Sequence, residues 1–141
     1  MSDQTLRPIV AGVLILHGLG HGGALGALLW IARFGGGKTG GWTAARSWLL
    51  PSLSSEMTAL IAATLWVVSL VGFVTAGLAV VGVLVPQDLW APLAVASAIV
   101  STVGIVLFAG TWPLFNTVAA LAVNVAVFVA VFVVRWVPPA A

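Results

Sequence analysis

Long apolar runs separated by short breaks are the main pattern of this chain. Four runs cover residues 8–34, 57–85, 90–110 and 114–134. Each is long enough for a helix to cross the hydrocarbon core of a bilayer, which takes about 20 apolar residues. Glycines at 35–37, Pro86 and Pro113 lie in the breaks, and these residue types end helices. The pattern therefore predicts four transmembrane helices.

The lengths of the connections predict how these helices are arranged. The second and third connections are so short that the helices they join must be antiparallel neighbours. We therefore predict an all-α, up-and-down bundle of four transmembrane helices that forms a single integral membrane domain over residues 1–141. In the longer first loop, residues 42–50 fit a short interfacial helix. Ser54, Ser55 and Glu56 fit the cap and first turn of span two.

Tryptophan positions independently support this map, because tryptophan concentrates at membrane–water interfaces. One predicted belt contains Trp30, Trp42, Trp48 and Trp112, the other contains Trp90 and Trp136, and Trp66 lies inside a span. Arg33, Lys38 and Arg46 accompany the first belt, whereas Arg7 and Arg135 accompany the second. The positive-inside tendency favours a cytoplasmic first loop, with both termini outside.

Composition agrees with a membrane location. The chain is 62% hydrophobic and 6% charged, whereas about a quarter of the residues in a soluble domain are charged. Five basic residues scattered along the chain form no patch for phosphates, so nucleic acid is not an expected partner. With no cysteine, the chain has no disulfide, no thiolate metal site and no c-type haem attachment.

The segment His17-Gly18-Leu19-Gly20-His21 is the main candidate for chemistry. It places two titratable rings at membrane depth, where such groups usually face a bundle interior, a cofactor or a partner. Their spacing of four puts both rings on one helical face. Three interpretations stay open: structural hydrogen bonding, contact with a chlorin, a b-type haem or a quinone, and a metal or proton path. A b-type haem needs a further histidine from another chain, and glycine stands where a zincin needs its glutamate.

Small residues at intervals of four predict where helices pack, because close backbone approach drives helix association in lipid. The stripes are Gly18, Gly22 and Gly26 in span one, Ala94, Ala98 and Thr102 in span three, and Ala122, Ala126 and Ala130 in span four. They fit either packing within one chain or an interface with a partner subunit or a second copy.

Polar residues within the spans are few. We expect Thr64, Ser69, Thr75, Ser97, Ser101, Thr102 and Thr117 to bond carbonyls of their own helices. Asn124 is different, because its own helix cannot satisfy all its donors and acceptors. It lies at about the depth of His21, so we predict a hydrogen bond between these two side chains.

Other apparent motifs lack the context that their chemistry requires. Residues 32–39 resemble a relaxed phosphate-binding loop, but a transmembrane helix leads into them where a strand is needed, so no nucleotide is expected. Glu56 and Asp88 would lie near opposite membrane faces and cannot act as an acid–base pair. We expect no enzyme activity, no catalytic residue and no resident metal.

The segment from Leu16 to His21, in the first of four spans, resembles a loosely defined group of small four-helix proteins of the bacterial inner membrane. That resemblance implies an inner-membrane location and supplies no reaction. Span one also resembles light-harvesting polypeptides, in which a small residue precedes the pigment-ligating histidine by four and a tryptophan follows. Val13 or His17 takes the first place here and Trp30 the second.

Three hypotheses about function follow. The first is a non-enzymatic subunit or accessory protein that packs within a larger membrane assembly or a homo-oligomer. The alternative is a subunit of an energy-transducing membrane complex, photosynthetic or respiratory, that contacts a pigment, haem or quinone through His17 or His21. The third is a small transporter or proton channel.

Overall fold

The computed structural model of the protein describes residues 3–34, 47–110 and 112–139. Four long helices account for most of them: α1 (Asp3–Phe34), α2 (Ser55–Val81), α3 (Trp90–Leu107) and α4 (Leu114–Phe128). A 3-10 turn, Gln87–Leu89, leads into α3, and a π-helical turn, Val129–Val133, extends α4. All four helices are long and apolar enough to cross a membrane. The predicted all-α fold with four candidate spans is confirmed.

The helices pack in chain order. α1 lies along α2, α2 along α3, and α3 along α4, whereas α1 and α4 make few contacts with each other. A buried cluster that includes Ala11, Leu14 and Val127 fills the end of the bundle near the termini. A second cluster, around Trp66 and Phe108, fills the end near the first and third loops.

The end of span two differs from the hydropathy prediction. Span two ends at Val81, four residues before the predicted Val85, because Gly82 adopts a left-handed conformation (φ 70°). Its N–H bonds the Ala79 carbonyl and the Val83 N–H bonds the Leu78 carbonyl, which closes the helix end. Residues 83–85 are apolar but not helical. Hydropathy alone does not reveal this change, since it records solvent preference and not backbone conformation.

The first loop is described only in part. Residues 35–46, which contain most of the phosphate-loop-like segment and the first half of the expected interfacial helix, lie outside the described residues. The predicted interfacial helix does not include residues 47–50, which are not helical. Pro51 disfavours helical conformation in the residue before it, which the prediction did not take into account. Trp48 Nε1 donates to the Val106 carbonyl at 2.7 Å and so fastens this segment to α3. The predicted cap is confirmed, since the Ser54 hydroxyl accepts from the Met57 N–H.

At the opposite end of the bundle, the Arg7 side chain connects α1 to the end of α2. Its Nε donates to the Val80 carbonyl at 3.0 Å and its Nη2 to the Val81 carbonyl at 2.6 Å. These are the last carbonyls of α2, where the helix dipole favours a positive charge. In the sequence Arg7 is informative only about orientation, but in the structure it also caps a neighbouring helix.

Three glycines outside the predicted stripes allow the closest helix contacts. A Cβ added at Gly77 would lie 2.9 Å from the Ala11 carbonyl oxygen and 2.6 Å from Ile15 Cγ1. One at Gly104 would lie 2.8 Å from the Trp66 ring, and one at Gly72 would overlap the Ser97 side chain. These positions set the spacing of α1, α2 and α3.

The predicted stripes divide into inward and outward members. Gly18 packs closely on α2, where an added Cβ would lie 3.0 Å from the Leu70 carbonyl oxygen, and Gly22 faces the Leu70 side chain. Gly26 is exposed, and nothing lies within 4 Å of an added Cβ. In α4, Ala122 and Ala126 are exposed and Ala130 packs partly against the buried cluster. Glycine packing within the chain therefore applies to Gly18 and Gly22 but not to Gly26.

Gly77→Ala is expected to destabilise the bundle, because the added methyl group meets the backbone of α1. Overpacking of this kind costs about 1–3 kcal/mol. Gly26→Ala is the matched control, a glycine in a helix with open space around it. Thermal unfolding in detergent should show a lower midpoint for Gly77→Ala only. Equal midpoints for the two variants would contradict the close approach of α1 and α2.

Candidate functional site

A connected group of polar side chains lies at the centre of the bundle. His17 Nε2 lies 3.1 Å from Asn124 Oδ1, and Asn124 Nδ2 lies 3.0 Å from both Ser101 Oγ and Thr102 Oγ1. Ser101 Oγ in turn lies 3.0 Å from His21 Nε2. We call these five residues the polar network. It links α1, α3 and α4.

The helices bring these residues together near the middle of the candidate spans. His17 and His21 are one turn apart on α1, so both rings face the same neighbours. Asn124 lies near the middle of α4 and is only 1% exposed. A primary amide at this depth cannot bond water, so partners on other helices must satisfy it.

Aromatic rings enclose the two imidazoles. The His21 ring stacks on Trp66, with centroids 5.3 Å apart and planes at 12°. The His17 ring meets Phe73 edge-on at 4.5 Å, and the two imidazole centroids are 4.8 Å apart. Trp66 Nε1 is buried and has no hydrogen-bond partner within the described ranges. This packing fixes the ring positions. In the sequence, Trp66 stands out only as the tryptophan inside a span, and Phe73 does not stand out.

Beside the network, a cleft of about 420 Å³ opens between α1 and α4. We call it the α1/α4 cleft. Its α1 wall contains Val13, Leu16, His17, Gly20, His21 and Ala24, its α4 wall contains Phe115, Asn116, Thr117, Ala119, Ala120 and Val123, and Trp66, Ile105 and Trp112 complete the lining.

Exposure shows how the cleft is oriented. Leu16 is 70% exposed and Phe115 is 82% exposed, so the rim lies on the outer surface of the bundle. Trp66 is 1% exposed and lies at the base. In a chain that spans a bilayer this opening faces the lipid, in the half nearer the α3–α4 connection. The cleft is thus an apolar groove with two imidazoles in its lining.

The partners of the histidines differ from the predicted ones in register. We expected His21 to bond Asn124, but His17 makes that bond and His21 reaches the amide through Ser101. One helical turn, about 5.4 Å, separates the two possibilities. Depth estimated from sequence does not resolve one turn, because the relative height of two helices depends on tilt and loop conformation.

Most of the hydroxyl predictions are confirmed. Five residues donate to the carbonyl four positions earlier: Thr64, Thr75, Ser97, Thr102 and Thr117. Ser101 differs, since its side-chain partners are His21 and Asn124 on other helices. Its depth in span three, matching that of Asn124, is the sequence signal that could have identified it. Ser69 Oγ has no hydrogen-bond partner in the part of the chain described here.

The network limits how a cofactor could bind. Nε2, the nitrogen farther from the helix backbone, is engaged in both rings. An axial ligand to a haem or a chlorin needs a free nitrogen lone pair. Ligation through Nε2 would therefore break the contact with Asn124 or Ser101. A ligand that accepts or donates a hydrogen bond at Nδ1 leaves the network intact.

Other chemistry finds little support in this geometry. Glu56, at the start of α2, and Asp88, in the turn before α3, lie at opposite ends of the bundle. Among the described residues there is no group of three or more histidines or acidic residues that could hold a metal ion.

Comparison of the chain with protein-family models, with curated proteins and with solved structures finds no match. The site must therefore be interpreted from its own chemistry.

Replacing Asn124 by leucine is expected to lower the stability of the bundle. The change leaves the His17 ring nitrogen and the Ser101 hydroxyl without their amide partner inside the membrane. Interhelical hydrogen bonds of this kind contribute about 1–2 kcal/mol. Thr102→Val is the matched control, because it removes one outer bond of the network and keeps the side-chain shape. Thermal unfolding in detergent should rank wild type, Thr102→Val and Asn124→Leu in decreasing order. A midpoint for Asn124→Leu at or above that of Thr102→Val would contradict a central role for the amide.

Proposed function

We propose that this protein is a non-enzymatic integral membrane protein that binds a small, lipid-soluble aromatic molecule of the quinone class in the α1/α4 cleft. The observation that carries the proposal is the pair of imidazoles in the lining of a groove that opens towards lipid. Small-molecule sites are typically concave and mostly apolar, with a few polar groups that fix orientation, and have volumes of about 300–1,000 Å³. The 420 Å³ cleft fits that description.

The lining favours a flat ring over a phospholipid chain. Trp66, Trp112 and Phe115 supply aromatic surfaces in the lining, and stacked or edge-to-face contacts favour an aromatic ligand. A quinone or quinol also carries the oxygen atoms that an imidazole can bond. A phospholipid tail would fill the volume without using either histidine.

The same geometry favours a quinone over a chlorin or a haem. Ligation of the metal of such a macrocycle through Nε2 would break the contact of that ring with Asn124 or Ser101, whereas a quinone oxygen can bond at Nδ1 and keep both contacts. A proton path is also less well supported, because the chain of hydrogen bonds from His17 to His21 passes through the amide of Asn124. An amide donates hydrogen bonds, but it does not release its proton as a hydroxyl or an imidazolium does.

For location, the resemblance of residues 16–21 supports the bacterial cytoplasmic membrane. The distribution of basic residues supports a first loop in the cytoplasm and both termini outside.

Filling the cleft should abolish ligand binding. Gly20 lines the cleft, and nothing lies within 4 Å of an added Cβ, so Gly20→Phe places a ring in the groove without displacing the backbone. Gly23→Phe is the matched control, because Gly23 has the same free space and does not line the cleft. Binding of a radiolabelled short-tailed benzoquinone and its quinol to protein in lipid nanodiscs should fall at least tenfold for Gly20→Phe only.

Two outcomes would contradict the proposal. One is equal binding by wild type, Gly20→Phe and Gly23→Phe, which would place the bound probe elsewhere. The other is recovery of phospholipid alone from purified protein, together with failure of either probe to bind wild type.

A second candidate function is assembly with another membrane subunit or a second copy through α4. In the fourth candidate span, Leu114–Val133, only 11% of the most apolar stretch is buried within the bundle, compared with 28–39% for the other spans. Ala122 and Ala126 lie on this uncovered helix and would permit close backbone approach.

The absence of cysteine from the sequence allows a direct test of assembly. If two copies meet through α4, Ala122→Cys or Ala126→Cys should give a disulfide-linked dimer when membranes are oxidised. Val68→Cys, at an exposed position on α2, should not. Mass measurement in mild detergent covers the case of a different partner. A monomeric mass with no cross-link at either alanine position would refute assembly through α4.

A further inference from the structure

The positions of the protons in the polar network can be assigned from its distances. Thr102 Oγ1 lies 2.7 Å from the Ala98 carbonyl oxygen, so the Thr102 hydroxyl must donate its hydrogen there. Thr102 can then only accept from Asn124, and the NH₂ group of the amide therefore faces α3. The amide oxygen faces His17.

This orientation fixes the tautomer of His17. Because the amide oxygen can only accept, His17 Nε2 must carry the hydrogen that it donates. A neutral imidazole has one N–H, so His17 Nδ1 is left as an acceptor.

His21 is the opposite tautomer, with its hydrogen on Nδ1. Ser101 accepts from the amide NH₂, and within the described ranges the acceptor left for its own hydrogen is His21 Nε2. His21 Nε2 therefore accepts, and His21 Nδ1 carries the N–H. A single amide thus gives the two histidines opposite hydrogen-bonding characters.

Both Nδ1 atoms remain available to a ligand. Neither has a hydrogen-bond partner within residues 3–34, 47–110 and 112–139, and neither is among the enclosed polar atoms. Both rings line the α1/α4 cleft, with centroids 4.8 Å apart. The lining therefore offers an acceptor and a donor on neighbouring rings. One hydroxyl oxygen can serve both, since it donates its hydrogen and accepts another.

We propose that the α1/α4 cleft selects ligands by the hydroxyl group and binds the reduced quinol in preference to the oxidised quinone. This inference rests on the proposed function. A quinol hydroxyl donates to His17 and accepts from His21, whereas a quinone carbonyl can only accept. The quinone therefore leaves the His17 acceptor without a hydrogen, and a buried polar group without its partner weakens binding.

A pair of probes that cannot change redox state tests this selectivity. 4-Decylphenol and its methyl ether, 4-decylanisole, have the same ring and tail and differ in the hydroxyl hydrogen. In nanodiscs the phenol should bind wild type about tenfold more tightly than the ether, the equivalent of one hydrogen bond. The quinol should exceed the quinone by a similar factor under anaerobic conditions.

Variants of the network separate selectivity from partitioning into lipid. Ser101→Ala removes the partner that orients His21, and Asn124→Leu removes the amide that orients both rings. Asn124→Leu should bring the phenol-to-ether ratio close to that of empty nanodiscs, because the His17 tautomer is then no longer fixed. Ser101→Ala should weaken binding of the phenol and the ether alike, because the oxygen of each accepts from His21, and should leave their ratio near the wild-type value. Thr64→Leu is the control, an exposed position on α2 whose hydroxyl bonds its own helix. It should keep the wild-type ratio.

Each outcome has a separate meaning. Equal affinity of wild type for phenol and ether would overturn hydroxyl selection and leave the proposed cleft function standing. A ratio that survives in Asn124→Leu would overturn the role of the network, and a ratio that is lost in Ser101→Ala would overturn the assignment of the selecting acceptor to His17. Binding of no probe at all would refute the proposed function, and this inference with it. Because the wild-type comparison needs no variant, the test stands even if Asn124→Leu fails to fold.

Discussion

The hydrogen bond between His17 and Asn124 is the interaction on which the centre of this molecule depends. α1 and α4 make few other contacts, so this bond and the packing of Ala11 and Leu14 near Val127 hold the two helices together. In water such a bond would compete with solvent, but at membrane depth no solvent replaces a lost partner. Between this bond and the termini, α1 and α4 pack against the same buried cluster, whereas towards the α3–α4 connection they separate. The cleft lies where apolar packing between α1 and α4 ends.

Small residues explain why the other helices leave no comparable gap. Gly77 brings α1 and α2 close together, and Gly104 gives the Trp66 ring room against α3. These contacts make α1, α2 and α3 a tight unit, because in lipid the close approach of backbones takes the place of hydrophobic burial. α4 lacks glycine altogether and packs mainly on α3. Its looser attachment leaves room for the cleft.

The spans could be predicted from sequence because the thickness of the bilayer sets the length of the apolar run that each span requires, and hydropathy locates such runs. Helix ends and helix partners could not. Val83 is as apolar as the valines within α2, so hydropathy does not exclude it from the span. The left-handed conformation of Gly82 ends the helix before it. Gly26 continues the stripe of Gly18 and Gly22 but faces outward, because a spacing of four defines a face and not the neighbour that it meets.

The candidate site shows the same division. The residue types of His17, His21 and Asn124 identified them, since each is costly to bury without a partner. Their pairing depends on helix heights that differ by less than one turn, and these are fixed by tertiary packing. Trp66 and Ser101 gave weaker signals: Trp66 is the tryptophan that lies inside a span, and Ser101 matches Asn124 only in depth, which does not by itself name a partner. The sequence therefore identified the polar groups that need partners, and the structure showed which partners they have.

The open Nδ1 atoms imply a link between ligand binding and stability. Hydrocarbon cannot bond either nitrogen, so each remains a polar group with no partner from the lipid. A molecule that supplies the missing bonds stabilises the folded bundle by an amount that grows with its concentration relative to its Kd. The network itself is complete without a ligand, since each hydrogen of its amide already has an acceptor. The arrangement thus combines a fixed polar centre with two ring nitrogens that have no partner in the network, on residues that line the cleft.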